Sequence, residues 1–179
     1  MLASSDTVLL VVDIQEKLVR AMHAREEFVL RAQQLVQGAR VLDLPILCTE
    51  QNPKGLGPTV PEIAAHLPAA QSISKFSFGC CACEDFMRSL QATARRNILI
   101  AGIETHVCVY QTAVELFAKG YGVEVVADAC SSRTLQNKQT GLEKMRDAGV
   151  ALTSVETALF ELLKVAEGPL FKQILSIVK

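Results

Sequence analysis

Short β-branched runs alternate with longer segments of helical period along this chain, and that alternation is the signature of βαβ units and a parallel sheet rather than a sandwich. The runs predict strands at Thr7–Val12, Ile46–Thr49, Ser72–Ser74, Asn97–Ala101, Gly122–Ala127 and Ala151–Thr153. Between them the apolar spacing predicts helices at Arg25–Leu42, Cys83–Ala94, Thr105–Lys119 and Gln136–Ala148, with Ser154–Val165 and Pro169–Val178 closing the chain. Within Thr105–Lys119, Val109, Ala113, Leu116 and Phe117 share one face, which is expected to pack on the sheet.

Half of the 179 residues are hydrophobic, enough for one compact domain that buries roughly 70% of its unfolded surface. Eighteen Lys and Arg nearly balance nineteen Asp and Glu, for a net charge of −1. Such a chain has no basic field to attract nucleic acid or anionic lipid, so a small, weakly charged substrate is the expected partner. The first apolar run, Val8–Val12, ends in an acid and lacks a preceding basic segment, so it reads as a strand and not as a signal peptide. No uninterrupted stretch approaches the ~20 apolar residues of a transmembrane helix, and a soluble cytoplasmic protein is expected.

Six cysteines without a secretory context read as reduced thiols. Cys80, Cys81 and Cys83 form the one dense cluster, but only three histidines exist, His23, His66 and His106, and none stands at a ligand spacing that would complete a zinc site. No metal and no other cofactor is expected; packed or half-exposed loop thiols are the plainer reading of the cluster, and a redox role for it is a further alternative.

Gln51 to Pro68 carries Pro53, Pro58, Pro61 and Pro68 with Gly55 and Gly57, so it reads as a long binding loop after a strand rather than one continuous element. The tail opens on Gly168-Pro169 and continues with Leu170, Phe171, Ile174, Leu175 and Val178. That apolar face needs a partner from this subunit or another, and a homo-oligomer interface through Leu170–Val178 is predicted.

In open parallel sheets ligands bind outside the carboxyl ends of the strands. Asp13 follows the first strand, Lys75 the third, and Cys108 lies between the fourth strand and its helix. They can meet if those strands are central neighbours. A thiol in the first turn of a helix faces the positive end of the macrodipole, which favours thiolate, and a nearby Lys75 would favour it further. Asp13 could take the thiol proton and return it to a leaving amine, while backbone N–H groups in the turn could hold an oxyanion, a contribution of ~2.7–4 kcal/mol per donor. Spacing alone leaves the plainer alternatives open: a turn-forming Asp, a solvated loop Lys, and a Cys that is a small core residue.

Three segments, Val11-Val-Asp-Ile-Gln15, Ser74-Lys-Phe-Ser-Phe-Gly79 and Gly102-Ile-Glu-Thr-His-Val-Cys-Val109, resemble the isochorismatase-like cysteine hydrolase family. Thr49-Glu-Gln51 with Lys54-Gly-Leu-Gly-Pro-Thr59 is similar to the branch of isochorismatase domain-containing proteins of uncertain substrate, and the likeness runs from about Thr7 to Phe160. The resemblance implies a three-layer α/β/α Rossmann-like fold around a mostly parallel six-stranded sheet, and a catalytic triad of Asp13, Lys75 and Cys108. It also implies a cis Ile103–Glu104 peptide that turns the Glu104 N–H toward the substrate beside that of Cys108, together an oxyanion hole. Gln15, Gln51, Phe76, Phe78, Glu104, Thr105 and His106, which flank these positions, are the candidates for substrate contact. Glu50 and Asp128 are expected to hold loops, and Ser131 and Ser132 to serve as turn and cap residues.

Nicotinamidases of this family bind metal through an Asp-x-His pair after the second strand, where this chain reads Thr49-Glu50-Gln51-Asn52. Hydrolases of the isochorismate vinyl ether lack the nucleophilic Cys that is present here as Cys108. The resemblance therefore implies metal-free hydrolysis of a small amide, imide or carbamoyl C–N bond through a thioester-type intermediate. The competing reading is a catalytically silent oligomeric binding or scaffold protein that retains the triad.

Overall fold

A computed structural model describes residues 1–67 and 72–179. Six strands form one sheet: β1 (Thr7–Val12), β2 (Ile46–Gln51), β3 (Ile73–Lys75), β4 (Asn97–Ile103), β5 (Gly122–Ser131) and β6 (Ala151–Thr153). Their order is β3-β2-β1-β4-β5-β6, and every pairing is parallel rather than mostly so. All six residues of β1 are buried, as a strand covered on both faces must be, and its unbroken Thr-Val-Leu-Leu-Val-Val run suits that position.

The β1 side chains divide the core in two. Leu9 and Val11 point to a layer made by α2 (Arg25–Val41), α8 (Val155–Leu163) and α9 (Gly168–Val178), where Phe28, Leu35, Leu159 and Ile174 are buried. Val8, Leu10 and Val12 point to the opposite layer, where Phe86 and Leu90 of α5 (Glu84–Ala92), Ala113 and Leu116 of α6 (Tyr110–Ala118) and Met145 of α7 (Leu135–Asp147) are buried. The result is the expected three-layer α/β/α arrangement. A π turn at Thr105–Val109 leads into α6. Phe117, expected to share the inward face of α6, is instead 41% exposed: Val109, Ala113 and Leu116 fill that face as expected, and Phe117, one residue beyond Leu116, falls at its edge.

Ile174 of α9 is fully buried within the chain, and Gln34 Nε2 of α2 donates to Ile177 O at 2.7 Å. Of the two partners expected for the tail, its own subunit supplies one: Ile174 is covered within the chain by α2 and α8, while Leu170 stays about half exposed at 47%. The segment read as one loop after β2 also proves more structured. Two single turns, α3 (Pro53–Leu56) and α4 (Pro61–Ala64), each begin on a proline, which supplies a helical φ where no N–H is needed; Pro68 lies outside the described residues. A short α1 (Glu16–Val19) precedes α2. No helix among the described residues is long and apolar enough to cross a membrane.

Candidate functional site

The strand order reverses direction between β1 and β4, so a crevice is expected where Asp13 leaves β1 and the π turn leaves β4. Asp13 takes a left-handed backbone, φ 52°, which Asp tolerates better than most residues. Close approach at this rim depends on Gly102: with φ +141°, a Cβ there would stand 2.1 Å from Val12 O. Beyond it the Ile103–Glu104 peptide is cis, and Glu104 O accepts from Val107 N (3.0 Å) and Val109 N (3.2 Å), which fixes the turn that carries Cys108.

Lys75 is the last residue of β3 rather than the residue after it, and β2 stands between that strand and β1. Its ammonium reaches across to Asp13 Oδ2 at 2.6 Å, with both side chains fully buried. The other two N–H bonds of the ammonium go to Ser77 O and Phe78 O, each at 3.0 Å. Asp13 Oδ1 accepts from Thr49 Oγ1 at 2.8 Å. Burial opposes the charge on Lys75 most strongly of any single cause, but Asp13 together with the neighbouring Cys80 and Cys108 outweighs it, and the ammonium's pKa is held above its ordinary value.

Cys108 is buried beside this pair, and its resting state differs from the sequence expectation. Desolvation pushes the thiol up to about 12; the charge of Asp13 and a hydrogen bond to it add to that push, while Lys75 opposes it. The dipole and lysine argument for a resting thiolate therefore fails, because Lys75 is committed to Asp13 and water is excluded. The same surroundings hold the neighbouring Cys80 thiol up at about 11, first through burial. All six cysteines are free; Cys80 is buried, and Cys81 and Cys83 are partly so. Among the described residues no three His, Cys, Asp or Glu side chains are grouped to hold a metal ion.

The expected substrate contacts separate into two groups. Gln15 is fully buried and its amide is engaged: Nε2 donates to Gln51 O (3.0 Å) and Gly57 O (2.7 Å), and Oε1 accepts from Gln51 N (2.8 Å). Thr105 is also buried and donates to Ser131 O at 2.8 Å. Both hold the rim together rather than face a ligand. Phe76 and Phe78 are 81% and 53% exposed, Gln51 Nε2 reaches Phe76 O at 3.4 Å, and His106 Nδ1 pairs with Ser132 Oγ at 3.0 Å. The Glu104 carboxylate is taken by Arg133, which donates from N (3.2 Å) and Nε (3.1 Å).

Glu50 and Asp128 hold loops as expected, Glu50 through Thr59 N and Oγ1 (2.7 Å each) and Asp128 through Val155 N (2.9 Å). Ser131 and Ser132 are not caps: Ser131 ends β5 and donates to His23 O at 2.8 Å, while Thr134 caps α7 by accepting from Asn137 N. Thr49 was missed, since a Thr inside a strand reads as a β-former; its position at the carboxyl end of a central strand was the available signal. A groove of about 540 Å³, lined in part by Glu16, Arg20, Leu30 and Glu62, lies on the α1–α2–α4 side and includes none of Asp13, Lys75 and Cys108.

Fold and rim together define a three-layer α/β protein with a carboxylate, an ammonium and a thiol gathered at its switch point. The Isochorismatase domain model matches residues 7–157, and the chain belongs to that family. It is 40% identical over 177 residues to isochorismatase domain-containing protein 2 of Xenopus laevis, covering 99% of this chain and 85% of that protein. Among solved structures, the MAR1 ribonuclease of Caenorhabditis elegans superposes with a TM-score of 0.92 at 33% identity, covering 99% of this chain and 91% of that one. The YcaC gene product of Escherichia coli, described as an octameric hydrolase of unknown specificity, superposes with a TM-score of 0.93 at 27% identity, covering 98% and 88%.

Proposed function

We propose that this protein is a cysteine-dependent hydrolase of a small amide, imide or carbamoyl C–N bond. The observation that carries the reading is the fully buried Asp13–Lys75 ion pair acting directly on the Cys108 thiol. A thiol held neutral at rest is compatible with catalysis if its proton leaves only as the nucleophile attacks. In the proposed reaction Asp13 takes that proton while the sulfur bonds to the substrate carbonyl carbon. The oxygen gains the negative charge and is held by the N–H groups of Glu104 and Cys108. The C–N bond then breaks, Asp13 returns the proton to the departing nitrogen, and a thioester remains. Water, deprotonated by Asp13, cleaves the thioester and regenerates the thiol. Lys75 holds the carboxylate in place between these steps through their 2.6 Å ion pair. Every step uses side chains, backbone and water.

The exposed rings of Phe76 and Phe78, with Gln51 and His106, are the proposed substrate-facing residues; Gln15 and Thr105 are withdrawn from that role because they are buried and their side chains bond to neighbouring backbone. The near-zero net charge supports a small substrate over RNA, despite the ribonuclease name of one structural relative. Six free thiols support a reducing, cytoplasmic setting. The octameric relative and the two exposed rings support a homo-oligomer, which sedimentation at micromolar concentration tests: a monomer there rejects it.

The deciding experiment follows ammonia release and the mass of Cys108 during incubation with small amides, carbamates and hydroxamates. Turnover with a transient adduct on Cys108, both lost in Cys108→Ala, is expected. Turnover without an adduct overturns the covalent mechanism. Ligand-induced melting shifts with no product for any compound class favour the silent binding protein instead.

A further inference from the structure

Asp13 is gripped from two sides by groups of different chemical capacity. Lys75 faces Oδ2 and can only donate; the Thr49 hydroxyl faces Oδ1 at 2.8 Å and can donate or accept. Thr49 is fully buried, lies directly opposite Val12 in the β1–β2 ladder, and its carbonyl accepts from Asp13 N at 3.1 Å. Backbone and side chain of one residue thus fix the carboxylate in place. On its far side the Thr49 hydroxyl has Cys80 Sγ at 3.9 Å.

We infer that Thr49 is a positioning residue for proton transfer at Asp13, a hydroxyl that donates to the carboxylate when it is ionised and turns to accept from it when it is protonated. The consequence for turnover rests on the hydrolase reading above. When the S–H bond of Cys108 breaks and an O–H bond forms on Asp13, the ammonium keeps Oδ2 as its acceptor, so the proton resides on Oδ1. The Thr49 O–H bond stays intact throughout. It rotates toward the Cys80 sulfur, a weak acceptor, and frees an oxygen lone pair for the new Asp13 O–H. Return of the proton to the leaving nitrogen reverses the rotation.

The two hydrogen bonds are unequal, and the inequality gives the sign of the test. A hydrogen bond to an ionised acceptor is roughly twice as strong as one between neutral groups. Removing the hydroxyl therefore harms the ionised carboxylate more than the protonated one, and Asp13 takes up its proton at a pH higher by roughly half to one unit. Thr49→Val keeps the shape and β-branching of the residue; Thr49→Ala serves should the valine variant fail to fold, and Thr49→Ser restores the hydroxyl.

Two readouts on the full-length protein test this. The first is the pH midpoint of the Asp13 carboxyl carbon by NMR; the second is the acid limb of Cys108 alkylation by acrylamide. A midpoint raised in Thr49→Val or Thr49→Ala and returned in Thr49→Ser, with the alkylation limb moving alongside, is expected. An unmoved midpoint in a folded hydroxyl-free variant overturns the inference, since a purely structural role would lower rates without shifting it. A midpoint that moves while wild-type Cys108 resists acrylamide at every pH upholds Thr49 and removes the nucleophile reading.

Discussion

Lys75 and Asp13 are 62 residues apart in sequence, one ending β3 and the other following β1, strands that are not neighbours, yet Nζ and Oδ2 lie 2.6 Å apart across the end of β2. A pair this deeply buried is strongly destabilising to break, because the remaining charge has no solvent. Lys75→Ala is expected to lose about 3–5 kcal/mol of stability together with all hydrolysis. The double variant Asp13→Leu, Lys75→Met removes both charges, so it should regain most of the stability and none of the activity. Urea denaturation of the three proteins checks this, and a Lys75→Ala protein as stable as its parent would contradict it.

Alkaline pH should weaken the fold through its buried thiols. Burial pushes Cys130 up from 9.0 to about 12, and desolvation does the same for Cys108. The folded protein keeps protons that the unfolded chain releases above about pH 9.0, so this stability is complete below that pH and declines as pH rises toward 12. Urea midpoints at pH 7, 9 and 11 should be level over the first interval and fall over the second. In the same experiment Cys130→Ala should lose less between pH 9 and 11 than the parent does.

Gly102→Ala places a Cβ against Val12 O in a backbone region closed to L side chains. The expected loss exceeds ~1 kcal/mol, and β1 and β4 must part where Asp13 and the π turn meet. Activity should fall further than stability predicts. Equal kcat for the variant and parent would show that the rim does not need this approach.

Gln15→Leu deprives Gln51 N, Gln51 O and Gly57 O of their partner. Unmet buried polar groups cost ~1–3 kcal/mol each, softened here by water at the loop, so a loss of at least ~2 kcal/mol is expected. Limited proteolysis should cut first between residues 51 and 67, and an unchanged cleavage pattern would refute the anchoring role.

Much of the architecture was legible because β1 to β6 each carry a β-branched or apolar run and the intervening segments keep a helical period. The strands that were read short, β2, β4 and β5, end in Glu50-Gln51, Gly102-Ile103 and Asp128–Ser131. Polar residues and glycine lower local strand propensity there, while neighbouring parallel strands supply the missing hydrogen bonds. Single turns such as Pro53–Leu56 are too short to show any period. At the candidate site, strand-end logic singled out Asp13, Lys75 and Cys108, which the fold brings to one rim. The protonation of Cys108 was misread because it depends on desolvation, which no local pattern records.

β3 has three residues and occupies one edge of the sheet, yet it supplies the ammonium at the centre of the site. The chemistry and the hem of the sheet therefore share one fastener. Any small anion that draws the Lys75 ammonium away from Asp13 would also let that border loosen, so backbone amide hydrogen exchange along Ile73–Lys75 should report occupancy of the site.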